Sequence, residues 1–191
     1  MHSIHRKRVK HYDMPGHAHF LTFSCYRRQT LLCHDRTRQR LVDAIGRAQK
    51  KHGFDLWAWV IMPEHVHLLL WSDTPTRTAE ILRSIKVPVA KRAMDYLRHQ
   101  APAFLNRLAC VTAGKVEYRF WQAGPGFDRN ITEPALLYEI IDYIHNNPVK
   151  RGLVATPGDW SWSSYRECHG LEPGKLMLNH SSLPVFLERI S

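Results

Sequence analysis

The chain has 191 residues, enough for one domain with a single core. Hydrophobic residues make up 44% and charged ones 23%, which excludes wholesale disorder, and no apolar run approaches the ~18 residues of a membrane span. Lys and Arg number 27 against 17 Asp and Glu, a net charge of +10 that implies a positive face for a polyanion, nucleic acid foremost.

Residues 1–14 form a basic arm carrying Arg6, Lys7, Arg8 and Lys10. No apolar stretch follows it as in a secretory signal, so the expected compartment is the cytoplasm. Cys25, Cys33, Cys110 and Cys168 contain no C-x-x-C pair, which excludes a zinc ribbon and leaves free thiols as the expectation. His19 to Tyr26 alternates and is rich in aromatic and β-branched residues, a first strand. Thr37 to His52 has helical spacing at Leu41, Ala44, Ile45 and Ala48, and Gly53 ends it. Phe54 to Met62 and Val66 to Trp71 are strands two and three, hairpinned across Pro63-Glu64.

A second helix spans about Thr78 to His99 on the stripe Leu82, Ile85, Val89, Ala93 and Tyr96, and Pro88 should kink or split it. Lys115 to Trp121 reads as strand four. Pro134 to Asn147 is a third helix, which Pro148 should end by disfavouring helical geometry at Asn147. The order β-α-β-β-α-β-α predicts an α+β, ferredoxin-like split β-α-β antiparallel sheet with helices on one face. The catalytic domain is expected over 15–159. The segment 160–191 is expected to pack on that domain or to bind DNA, with Trp160, Trp162 and Tyr165 as its packing residues.

His65-Val66-His67 sits in the apolar strand PEHVHLLLW. Residues i and i+2 of a strand share a face, so both imidazoles emerge together while Val66, Leu68 and Leu70 point to the core. Two convergent imidazoles are half of a metal site, although single histidines on sheets are more often merely hydrogen-bonded. On the third helix Tyr143 and Asn147 are four apart and share a face. Imidazoles plus an amide oxygen leave positions open for a phosphate oxygen on a hard ion, Mg²⁺ or Mn²⁺. A tyrosine beside such an ion is a nucleophile, whereas the helix alone says only that a tyrosine packs the core.

PEHVHLLL, YRFWQAGPGFDRNI, YEIIDYIHNNPVKRGLV and DWSWSSY occur in this order. Together they resemble the REP-associated tyrosine transposases of the single-tyrosine HUH superfamily, over roughly residues 15–168. The resemblance implies that His65, His67 and Asn147 are metal ligands and Tyr143 the nucleophile. It implies an HUH fold and cleavage of single-stranded DNA at REP-like hairpins, with a 5′-phosphotyrosine link, a free 3′-hydroxyl and rejoining of strands. A bacterial, nucleoid-associated protein, monomer or homodimer and without membrane contact, is the corresponding expectation. A non-catalytic hairpin-binding repressor is the alternative. A metal hydrolase with a water nucleophile would need more Asp or His beside the pair than the residues after His67 offer.

Arg119, Trp121 and Arg129 flank Gly124-Pro125-Gly126, where an aromatic among arginines suits unpaired bases and backbone phosphates. Phe120 and Trp121 also alternate across a strand, so one of them entering the core explains that stretch equally well. Arg83 and Lys86, off the apolar stripe of the second helix, and Lys150 and Arg151, past the third, complete the expected DNA contacts. Cations at a helix C-terminus are favoured by its dipole as well. His17-Ala18-His19 is a second H-x-H pair at a strand edge, expected to be a decoy. Tyr138 lies about 140° around the helix from Tyr143, which argues against a two-tyrosine site.

Overall fold

The computed structural model describes residues 16–75, 77–124 and 126–184, and the basic arm expected at 1–14 lies outside them. Strands β1 (Ala18–Ser24), β2 (Asp55–Ile61), β3 (His65–Trp71) and β6 (Phe127–Ile131) make an antiparallel sheet in the order β2-β3-β1-β6. Helices α1 (Asp35–His52) and α2 (Thr78–Gln100) lie between these strands in sequence. A short α3 (Pro102–Leu105) and a hairpin of β4 (Ala109–Thr112) and β5 (Lys115–Tyr118) precede β6. Helix α4 (Pro134–Lys150) and a last turn, α5 (Tyr165–Cys168), follow it.

The α+β class and antiparallel sheet are as expected, but helices cover both faces rather than one. Val66, Leu68 and Leu70 join Leu21, Phe23, Leu56 and Ile61 in a core closed by Leu41, Ile45, Ile81 and Ile85 of α1 and α2. Leu69 joins Ala58, Val60 and Ile131 in a second core beneath Leu137, Ile140 and Ile144 of α4. A strand apolar at both parities is buried on both sides, and the run HLLLW has that composition.

The expected fourth strand also moves. Residues Lys115–Tyr118 are exposed and pair with β4, across a turn in which Ala113 and Gly114 have φ of 48° and 76°. Two residues of positive φ make the tight turn that suits a two-stranded ribbon. The fourth sheet strand is β6, whose polar sequence FDRNI carries little strand signal.

Neither proline interrupts its helix: α2 runs through Pro88, and α4 runs through Pro148 to Lys150. Helix α4 stops where Gly152, at φ 65°, donates to the Val149 carbonyl and Leu153 donates to that of Pro148. That is the bonding of a Schellman cap, and it keeps Asn147 in the helix. The apolar stripe of α2 ends at Met94, leaving Tyr96 exposed.

The segment after α4 runs along β2. The Ile61 amide donates to the Trp162 carbonyl, and the Ser164 amide to that of Trp59. The Trp59 amide donates to Ser164 Oγ at 3.0 Å, and that hydroxyl also meets His145 Nε2 of α4 at 2.8 Å. Trp160 and Trp162 donate their indole N–H groups to the Ile61 carbonyl and to Asp35. Further on, Asn179 Oδ1 accepts from the Leu56 amide and from Gln49.

Ser164 thus joins β2, α4 and the C-terminal segment in one buried bonding group. Replacing Ser164 with Ala is expected to cost about 1–3 kcal/mol, because a buried amide and imidazole lose a partner. Urea unfolding should show a lower midpoint at unchanged slope, and an unshifted midpoint would deny the junction this weight.

Candidate active site

His65 and His67 are buried on the β3 face that lies under α4, and their Nε2 atoms are 3.1 Å apart. Each outer nitrogen has its own partner. His65 Nδ1 donates to Glu64 Oε1 at 3.1 Å, and His67 Nδ1 pairs with Thr22 Oγ1 at 2.7 Å across the β1–β3 ladder. A carboxylate only accepts, so His65 carries its proton on Nδ1 and directs the Nε2 lone pair inward.

Burial pushes the His65 pKa below the ordinary imidazole value, outweighing the attraction of Glu64. Burial, then the neighbouring His65 and Arg28, takes His67 to about 3. Both rings are therefore neutral near pH 7, the form that ligates a cation.

Helix α4 supplies the other half of the site. Asn147 Nδ2 donates to His67 Nε2 at 3.3 Å, while Asn147 Oδ1 is buried with no hydrogen-bond partner. One turn earlier, Tyr143 is 40% exposed, its ring centroid 5.4 Å from that of His67 and 6.0 Å from that of Phe20. Phe20 of β1 stacks on His67 at 5.4 Å. Lys150 Nζ lies 5.0 Å from the Tyr143 ring centre, and Arg151 donates to Glu64 at 2.9 Å. Arg151 and Glu64 thereby tie the end of α4 to His65.

The expected cluster of His65, His67, Tyr143 and Asn147 is brought together, with Lys150 against it. Among the described residues, no group of three or more His, Cys, Asp or Glu could hold a metal. The third donor available to the two imidazoles is the Asn147 amide.

The expected DNA contacts are more scattered. Arg129 is exposed on the sheet face that carries Phe20, its cross-strand partner. Arg151 is engaged by Glu64. Arg83 is exposed on α2, across the sheet from the histidines. Lys86 reaches the Gly124 carbonyl at 3.4 Å, and Arg119 binds Thr112 Oγ1 at 2.9 Å within the ribbon. Trp121 corrects the expectation of a base-stacking ring. It is buried against Phe23 and Phe120 in the α1/α2 core, and its N–H donates to the Lys86 carbonyl at 2.8 Å.

His19 is buried 3.0 Å from Asp128 on the α1/α2 face, which keeps the second H-x-H pair out of the site. Tyr138 donates to the Pro184 carbonyl. Four contributors were not anticipated: Thr22, Glu64, Phe20 and Arg28. Thr22 and Phe20 become visible once β1 is set antiparallel to β3, which puts Thr22 opposite His67, whereas Glu64 adjoins His65 in the chain. Arg27 and Arg28 follow β1 with φ of 52° at both, a left-handed pair that no composition signal marks.

In this three-layer fold an H-x-H strand faces a helix that carries a tyrosine and an amide one turn apart. The profile of the family described as "Transposase IS200 like" matches residues 14–147, and the chain belongs to that family. The resemblance read from the motifs is borne out. The chain is 27% identical over 172 residues to the REP-associated tyrosine transposase of Escherichia coli K12, covering 86% of this chain and 87% of that one. A Haemophilus influenzae relative is 26% identical over 148 residues, 71% of this chain and 77% of its own. Among solved structures, a REP-associated tyrosine transposase bound to a REP hairpin superposes with a TM-score of 0.64 at 23% identity, over 97% of this chain and 99% of that one. Its likeness is one of fold. No helix among the described residues is long and apolar enough to cross a membrane.

Gly126 sets the position of β6 beside this site. Its φ is 85°, and a Cβ there would collide with the Thr22 carbonyl oxygen. Gly126→Ala is expected to destabilise by about 2 kcal/mol or more, combining left-handed strain with the clash. Thermal unfolding checks it, and an unchanged midpoint would mean the loop moves freely.

Proposed function

We propose that the chain is a single-strand DNA nickase and transposase acting on REP-like hairpins through Tyr143. The observation that carries this reading is an exposed phenol one helical turn from a buried amide oxygen without a partner, above two neutral imidazoles whose Nε2 atoms nearly touch.

The residues fit a hard divalent ion. Two donors each ~2.1 Å from one ion at right angles are about 3.0 Å apart, close to the spacing of the two Nε2 atoms. His65, His67 and Asn147 Oδ1 would hold Mg²⁺ or Mn²⁺. When bound, the ion supplies a Lewis acid for a non-bridging oxygen of the scissile phosphate.

Thr22 and Glu64 orient the two rings, and mutating such outer partners commonly lowers metal affinity 10–100-fold. Tyr143 Oη attacks phosphorus and its proton passes to solvent, which reaches the half-exposed side chain. The P–O3′ bond breaks and O3′ takes a proton from solvent, leaving a 5′-phosphotyrosine and a free 3′-hydroxyl. Attack by a 3′-hydroxyl on that link reverses the step and rejoins strands, releasing the tyrosine. Lys150 Nζ, 5.0 Å from the Tyr143 ring centre, offers a cation to the phosphate that the phenol attacks. The similarity to relatives named REP-associated tyrosine transposases supports a hairpin substrate.

Tyr143→Phe should abolish a covalent protein–DNA band with end-labelled hairpin strands in Mg²⁺ or Mn²⁺, while leaving hairpin affinity within about twofold. A denaturing gel and a binding titration read the two quantities. An adduct that survives in the variant would remove Tyr143 from the role. Thr22→Val should raise the Mn²⁺ concentration needed for half-maximal cleavage by roughly 10-fold or more, with the plateau rate largely kept. An unchanged Mn²⁺ dependence would dismiss the ring-orienting role of Thr22.

A further inference from the structure

The edge strand beside the catalytic residues carries an aromatic that the fold does not use. Side chains of β6 alternate, so Asp128 turns in towards His19 while Phe127 and Arg129 lie on the face of Thr22, Phe20 and Tyr143. Phe127 is 49% exposed, an unusual fate for a phenyl ring in the strand of a compact domain. Its ring partner among the described residues is Phe20, edge-to-face at 6.0 Å, and Phe20 in turn meets Tyr143 edge-on at 6.0 Å. An aromatic line thus runs from the sheet edge to the candidate nucleophile. Arg129, two residues on and exposed, forms no ion pair among the described residues.

The position of this ring is constrained. Gly126, the residue before it, passes so close to the Thr22 backbone that only glycine fits, so Phe127 enters the strand from one direction. An exposed ring with a free face next to an unpaired guanidinium matches the two halves of a nucleotide. A base stacks on the ring, and its phosphate accepts from the arginine. A chain with net charge +10 and a nucleophile 6.0 Å beyond Phe20 favours a single strand over an apolar peptide as the occupant.

We infer that Phe127 is the stacking platform for an unpaired base next to the scissile phosphate, with Arg129 holding the adjoining phosphate. The strand is thereby set in register against Tyr143. This deepens, and rests on, the reading of the chain as a single-strand DNA transposase.

The test uses the full chain and a hairpin oligonucleotide with a short single-stranded flank, taken from repeats beside its gene, with 2-aminopurine placed at each flank position in turn. Wild type should quench the probe at one position. Phe127→Leu should lose that quench and weaken binding of the flanked hairpin roughly tenfold, since base–aromatic stacking carries about that much. Phe127→Trp should restore both. Arg129→Gln should lower the log–log salt slope of binding by about 0.7, one single-strand phosphate.

Quench and affinity in Phe127→Leu equal to wild type would overturn the inference, as would tight wild-type binding of the flanked hairpin with no quenched position. Failure of wild type to prefer the flanked hairpin over a plain duplex would instead overturn the transposase reading beneath it. Because Phe127 is exposed, the Leu variant should keep the wild-type melting temperature, which separates lost stacking from lost fold.

Discussion

Two imidazole nitrogens 3.1 Å apart on a buried sheet face impose the constraint around which the site is arranged. Both cannot present a proton to the other, and burial holds both rings neutral. Glu64 fixes the proton of His65 on the far nitrogen, so a lone pair points inward with no carboxylate to meet it. The neighbouring amide of Asn147 leaves its oxygen equally unanswered. An unpaired buried acceptor is costly, and on the proposed reading a cation held by both imidazoles and this amide would answer it. The Tyr143 ring lies beside these groups, its centroid 5.4 Å from that of His67.

Holding these groups together requires α4 to lie on the histidine face, and the fold is organised to keep it there. Leu137, Ile140 and Ile144 anchor the helix on Ala58, Val60 and Leu69. His145 bonds Ser164, which is itself stitched to the Trp59 backbone at the edge of the sheet. Arg151 pulls the helix end onto Glu64. The C-terminal segment therefore acts on the site at a distance, as the clamp that keeps the tyrosine helix seated. The Schellman cap at Gly152 matters for the same reason, since an α4 ending before Pro148 would leave Asn147 outside the helix.

The grouping of His65, His67, Tyr143 and Asn147 is more legible in the sequence than the architecture around it. H-x-H in an apolar strand and Tyr–x₃–Asn on a helix have fixed periodicities, so their faces follow from spacing alone. Which face α4 covers does not follow from the order of elements, and here β3, apolar on both sides, decided it. Lys115–Trp121 looked like a sheet strand because it holds aromatic residues. Its backbone pairs locally instead, through a turn that Ala113 and Gly114 make tight, and Trp121 falls into the α1/α2 core. The polar β6 and the ring partner Thr22 depend on cross-strand register, which one strand read alone does not reveal.

The most direct test of the central claim is pulsed electron paramagnetic resonance of the protein with one equivalent of Mn²⁺ and no DNA. Two coupled imidazole ¹⁴N nuclei are predicted in wild type, one in His65→Ala, and still two in Tyr143→Phe. A spectrum without imidazole nitrogen coupling, or one that His65→Ala leaves unchanged, would contradict the account, because the buried nitrogen pair would then serve no ion.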